Sequence, residues 1–188
     1  MSDKLVFDIE TKFTFDDVSA HIPDFEISVV GVYSYADDAY HAYEESEFPA
    51  LGALLQHTHL LVGFSSKRFD LPILQKYFNF KLSPIPHFDI LEAIEKSFGR
   101  RVGLGVLAEA NLGVGKTGHG LQAIEFYRNG EMQKLKDYCL QDVKITKNLF
   151  ELIKKQGYLW VPQRNTSQMA KVELKFEEPA PPPANLFS

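Results

Sequence analysis

Apolar residues come in short β-rich runs over the first third of this chain and at helical spacing over the rest. Residues 4–9 (KLVFDI) predict a first strand, 26–35 (EISVVGVYSY) a second and 39–43 (AYHAY) a third. The short polar link Ala36-Asp37-Asp38 predicts a hairpin between the last two. Glu47 to Gln56 has helical spacing, and His59 to Val62 is a further short strand ending at Gly63. Asp70 to Phe78 predicts a helix, with Pro72 tolerated in its first turn. Pro84 and Pro86 then break the chain. Asp89 is placed to cap a helix over ILEAIEKSF. Three more helices follow: Leu104 to Leu112 stopped by Gly113, Leu121 to Arg128 stopped by Asn129-Gly130, and Glu131 to Gln156 stopped by Gly157. This order implies an α/β sandwich with a mixed sheet whose second and third strands form the antiparallel part. From Thr166 the chain runs towards EEPAPPPANLFS, so residues 1–165 are expected to fold as one domain and 166–188 to form a flexible Pro-rich tail.

Composition changes this picture little. A chain of 188 residues, 45% hydrophobic and 24% charged, buries enough apolar surface for one domain without disulfides or a structural metal. Cys139 is the only cysteine, which fits a reducing, cytoplasmic setting. No signal peptide is expected from the opening MSDKLVFDIE, and no apolar run reaches the roughly 18 residues expected of a membrane-spanning helix.

Three segments carry candidate chemistry. In Asp8-Ile9-Glu10, strand alternation turns both carboxylates to one face. That arrangement is costly unless something positive lies between them. In Tyr138-Cys139-Leu140-Gln141-Asp142, helical spacing puts the phenol and the carboxylate on one face. The stretch Gly63-Phe64-Ser65-Ser66-Lys67-Arg68-Phe69-Asp70-Leu71-Pro72 joins an apolar strand to a helix. Taken singly, each has an ordinary reading: a strand running into a polar loop, an amphipathic helix, a helix-capping Asp.

Together the three segments resemble the DEDD superfamily of 3′–5′ exonucleases, which have a ribonuclease-H-like fold. That family carries Asp-x-Glu on its first strand, Phe-Asp-x-Pro after a later strand, and Tyr-x-x-x-Asp on a late helix in its tyrosine subclass. All five positions match here in order: Asp8, Glu10, Asp70, Tyr138 and Asp142. The resemblance spans roughly residues 4–156, and Leu107-Ala108 through Lys116 looks like the family's link between the last two motifs. One position departs: many relatives have Asn five residues before the second Asp, and here it is Ser65, with shorter reach.

The resemblance implies a mixed sheet flanked by helices and two divalent cations, Mg²⁺ or Mn²⁺, held by Asp8, Glu10, Asp70 and Asp142. Hard carboxylate oxygens suit those ions. Asp8 is expected between the two ions, with Glu10 and Asp142 on the ion serving the attacking water, and Asp70 in the outer shell. Tyr138 is expected to orient that water, since an unperturbed phenol, with a pKa of about 10, is a poor base near neutrality. The implied substrate is the single-stranded 3′ end of DNA or RNA, released as nucleoside 5′-monophosphates. The net charge of −5 argues against a nucleic-acid partner only until cations neutralise the clustered acids. Thr11, Ser65, Arg68, Phe69 and Lys116 are candidate substrate contacts, as are Arg100, Arg101, His119 and Phe13, with solvated surface or core packing as their ordinary alternative. Rival readings are an endonuclease or junction resolvase with the same acids, or a nucleic-acid-binding module without activity.

Other features point elsewhere. Gly113-Val114-Gly115-Lys116-Thr117 resembles the end of a P-loop, but the position needing the first Gly is Ala110 and no strand precedes it. Cys139, whose neighbours on the helix turn away from Asp142, reads as a packed thiol. Asn185-Leu186-Phe187 after the prolines resembles a docking peptide for a sliding clamp.

Overall fold

The computed structural model describes residues 3–18, 21–115 and 120–180. Strands β1 (Asp3–Thr11), β2 (Ile27–Ser34), β3 (Ala39–Tyr43), β4 (Thr58–Gly63) and β5 (His87–Asp89) form one sheet in the order β3-β2-β1-β4-β5. The β1–β2 and β2–β3 pairs are antiparallel, and β1–β4 and β4–β5 are parallel. The helices are α1 (Phe48–Gln56), α2 (Asp70–Leu74), α3 (Ile90–Phe98), α4 (Leu104–Leu112), α5 (Gly120–Arg128) and α6 (Met132–Gln156).

Strand alternation divides the core into two layers. On β1, Leu5, Phe7 and Ile9 point to the layer built with Phe48, Leu51 and Leu55 of α1. Val6 points the other way, into the layer that contains Val143, Leu149 and Phe150 of α6. Asp8 and Glu10 share the parity of Val6, so the strand aims both carboxylates at the α6 side. A register shift between Glu10 and Thr11 ends the regular β1–β2 pairing at that point.

The mixed sheet with antiparallel β2 and β3 is as expected, and α4 spans the residues expected of it. Other elements differ from expectation: the helix expected over Asp70 to Phe78 is α-helical only to Leu74 and continues as a 3-10 turn over Gln75–Tyr77. β5 is a strand of three residues lying where the prolines suggested only a break. The chain after α6 also forms a hairpin of β6 (Tyr158–Pro162) and β7 (Met169–Glu173), so the expected tail boundary at Thr166 falls in its turn. Leu159, Val161, Val172 and Leu174 are buried in the α6-side layer, and the Phe176 ring packs on Phe88 and Phe150. Burial of the four side chains Leu159, Val161, Val172 and Leu174, each of which favours folding by about 1.5–3 kcal/mol, outweighs the loop-forming bias of the polar turn between the strands. Residues 181–188, which carry the docking-peptide sequence, lie outside the described residues. Among the described residues, no helix is long and apolar enough to cross a membrane.

Candidate metal centre

The centre starts from the end of β1. Asp8 and Glu10 are both half-buried there, and a carboxylate oxygen of each lies within 4.8 Å of the other and of Cys139 Sγ. The thiol also lies 3.6 Å from the Asp8 carbonyl oxygen. Cys139 is fully buried as expected, but it faces the acids rather than away from them. The reason is on the neighbouring strand. Gly31 stands opposite Asp8 in the β1–β2 register. A methyl group on Gly31 would come within 2.8 Å of Cys139 Sγ and 3.0 Å of Val143. Its absence lets α6 approach β1 closely at the level of Asp8.

α6 supplies the next residues. Asp142 is 7% exposed, on the buried stripe that includes Cys139, Val143 and Thr146. Tyr138, one turn earlier, packs with Val29, Ala123 and Leu135, and its hydroxyl is buried. Burial pushes the Cys139 thiol well up, and the charges of Asp8, Glu10 and Asp142 push it further, so it stays protonated.

Asp70 arrives from a third direction, as the first residue of α2. Its Oδ1 accepts a hydrogen bond from the Ile9 N–H at 3.2 Å, which sets the carboxylate between Asp8 and Glu10 along the strand. Burial pushes its pKa up to about 7, against the pull of that hydrogen bond, and the charge of Asp89 adds to the rise. A carboxylate so placed gains strongly from a nearby cation.

The structure thus brings Asp8, Glu10 and Asp70 to one end of β1, with Asp142 on the buried stripe of α6, the helix whose Cys139 meets the Asp8 carbonyl. The fit to a hard divalent cation follows from the donors: carboxylate oxygens surround the position, and the single soft donor is held as a neutral thiol. The tightest group is Asp8, Glu10 and Cys139.

The candidate substrate contacts are less uniform. Phe69 meets Phe15 and Phe25, with centroids 5.3 and 5.1 Å away. These rings, with Phe13, Thr11 and Glu10, line a cavity of about 320 Å³ that opens beside the acids. The Thr11 hydroxyl donates to the Phe13 carbonyl, which fixes the turn at the cavity's edge. Ser65 Oγ accepts from Arg101 at 3.0 Å. Arg68 turns to Glu95 of α3, 3.0 Å away, and Arg100 donates to the Pro162 carbonyl. Lys116 and His119 lie outside the described residues. The aromatic cavity as a unit escaped the sequence reading. Phe15 and Phe25 follow no period shared with Phe69, and only folding unites them.

Residues 5–154 match the family model RNase_H_2, described as RNase_H superfamily. Among solved structures, the chain is similar to a family B DNA polymerase from the hyperthermophilic archaeon Pyrobaculum calidifontis. The TM-score is 0.62 at 18% identity, over 82% of this chain and 25% of that one. A structure of exonuclease I gives 0.58 at 14% identity, over 82% and 41%. E. coli exonuclease I in complex with a dT13 oligonucleotide gives 0.57 at 13% identity, over 83% and 42%. The chain therefore spans less than half the length of these proteins, and at such identities the likeness is one of fold. No curated protein matches the sequence.

Proposed function

The chain belongs to the RNase H superfamily, and from that premise we propose that it is a metal-dependent 3′–5′ exonuclease of the tyrosine subclass. The observation that carries the reading is the meeting of Asp8, Glu10 and Asp70 at one strand end beside an aromatic cavity, with the buried Asp142 on the helix whose Cys139 lies against the same strand. Carboxylates brought this close repel one another, and a divalent cation held among their hard oxygens relieves that repulsion. The dT13 oligonucleotide held by E. coli exonuclease I, on a similar fold, supports single-stranded nucleic acid as the substrate.

Two ions of the Mg²⁺ or Mn²⁺ type would supply Lewis acidity to the phosphate and acidify a water. Asp8, Glu10 and Asp142 are the residues to hold them, and Asp70 orients the group from β1 outwards. The rings of Phe13, Phe15 and Phe69 receive the 3′-terminal base by stacking, which brings its phosphate to the acids. Tyr138 hydrogen-bonds the attacking water and aims its lone pair at phosphorus. The water oxygen then bonds to phosphorus in line, the bond to the preceding nucleotide's 3′ oxygen breaks, and a nucleoside 5′-monophosphate leaves. The proton lost by water reaches solvent, and the leaving 3′ oxygen takes one up.

The test is digestion of end-labelled single-stranded and duplex DNA and RNA with Mg²⁺, Mn²⁺ or EDTA. Stepwise shortening from a free 3′ hydroxyl, abolished by EDTA and slowed by a 3′-phosphate, is the expected result. Equal cutting of circular and linear single strands would establish an endonuclease instead. Binding without metal-dependent cleavage would leave a nucleic-acid-binding module.

A further inference from the structure

Residues 64–69, between β4 and α2, carry Ser65 and deliver Asp70 to β1. The segment is a series of bends and turns with no ladder of its own. Ser65 sits at φ +63°, in the left-handed region that a side chain with Cβ rarely adopts. Such a conformation persists only where the surroundings dictate it.

The surroundings here are β5. Asp89, 3% exposed, accepts three backbone hydrogen bonds. Its Oδ1 takes the Ser65 N–H at 2.9 Å and the Glu92 N–H at 3.1 Å. Its Oδ2 takes the Lys67 N–H at 3.0 Å. His87, two residues earlier and so on the same face, places Nε2 2.9 Å from the hydroxyl of the fully buried Ser66. Three consecutive residues, 65 to 67, are thus gripped by alternate residues of one short strand. Gly63 completes the fit, since a methyl group there would fall 2.2 Å from Ser66 Oγ. Beyond the grip, the Leu71 N–H bonds back to the Ser66 carbonyl, and Asp70 Oδ1 meets Ile9 of β1.

We infer that β5 is a clamp for the metal centre: Asp89, assisted by His87, is a positioning residue that fixes the 64–69 segment and thereby holds Asp70 against β1. Capping α3 accounts for only one of the three bonds, the one from Glu92. The other two act on the segment that ends in Asp70. This inference rests on the reading of Asp70 as part of the metal centre.

Asp89→Ser separates the two roles. A serine hydroxyl still caps α3 at Glu92 but is too short to reach Ser65 and Lys67 as well. The measurements, on the full chain, are amide hydrogen exchange at Ser65 and Lys67, melting temperature, and Mn²⁺ titration without substrate. The expected result is near-wild-type melting, exchange at both amides faster by about 10-fold or more, and Mn²⁺ affinity weaker by about 10–100-fold, the range for lost outer-shell support. If Asp89→Ser fails to fold, Asp89→Asn serves. It keeps the shape and one acceptor but turns an NH₂ group towards a backbone N–H, with faster exchange at that amide expected. Unchanged exchange in the folded variant overturns the clamp. Faster exchange with unchanged Mn²⁺ affinity overturns its link to Asp70. Absence of Mn²⁺ binding by the wild type overturns the metal centre instead, and the exchange data then report on the clamp alone.

Discussion

At the end of β1, the carboxylates of Asp8 and Glu10 crowd each other and a neutral thiol. At the end of β5, the carboxylate of Asp89 collects three backbone N–H groups from two directions. Both strands run parallel to β4 and so point their C-terminal ends the same way, and both place polar side chains at alternate positions. The difference lies in what meets the charge. Oriented N–H dipoles balance Asp89 within the fold, so it can serve as a fixed point. The β1 acids lie close to one another, each with a carboxylate oxygen within 4.8 Å of the other's, so like charge meets like charge there. Asp70 stands between the two cases: Ile9 gives it an N–H, yet burial and Asp89 hold its pKa up to about 7. A carboxylate inside a protein therefore declares its role by the company of its oxygens, more than by its burial.

Removing a crowded acid should break that contrast most sharply. Asp8→Ala is expected to lower Mg²⁺-dependent cleavage by more than about 10³-fold, beyond the loss of one electrostatic contact. Near-wild-type cleavage by this variant would remove Asp8 from the centre. The next largest effect belongs to Tyr138→Phe, expected to lower kcat by about 10²–10³-fold while Mn²⁺ and oligonucleotide affinities hold. Unchanged kcat would make Tyr138 a packing residue.

Asp70 tests the intermediate case through pH. Its folded pKa, about 7, exceeds the ordinary 3.8, so the folded chain binds the extra proton between those values. The metal-free protein should therefore lose stability from this group as pH rises from about 4 to about 7. His87 acts oppositely: burial holds it near 4, below the ordinary 6.5, so its contribution is lost as pH falls through that range. Melting in EDTA, compared between wild type and Asp70→Asn across this range, isolates Asp70. The difference should favour Asp70→Asn increasingly towards neutral pH, and a pH-independent difference contradicts the assignment. The smallest effect is expected at the rim. Arg68 is exposed and paired with Glu95, so Arg68→Ala should shift stability by less than about 0.5 kcal/mol. If Arg68 exchanges Glu95 for a phosphate, the salt dependence of oligonucleotide binding should drop by about one unit of log–log slope.

The sequence made much of this legible where local chemistry acts alone. Asp89 accepts from Glu92 at the start of α3, and Gly113 and Gly157 end α4 and α6, because caps act within a few residues. Asp8 and Glu10 share a face by strand alternation, whatever else the chain does. What stayed hidden depends on contacts between distant segments. β5 has three residues, too few to show a period, and takes its form from pairing with β4. Cys139 meets the acids because Gly31 opens a path for α6, a fact about another strand. Nor does serine by itself announce a left-handed backbone; Ser65 acquires one from Asp89.

The β6–β7 hairpin bears on solubility. It lays Val172, Leu174 and Phe176 over Phe88 and Phe150, so a chain shortened at Thr166 would present that aromatic surface to water. Such a chain would retain every acid of the centre. It should nonetheless self-associate as its concentration rises, with light scattering increasing at protein levels where the full chain remains monodisperse.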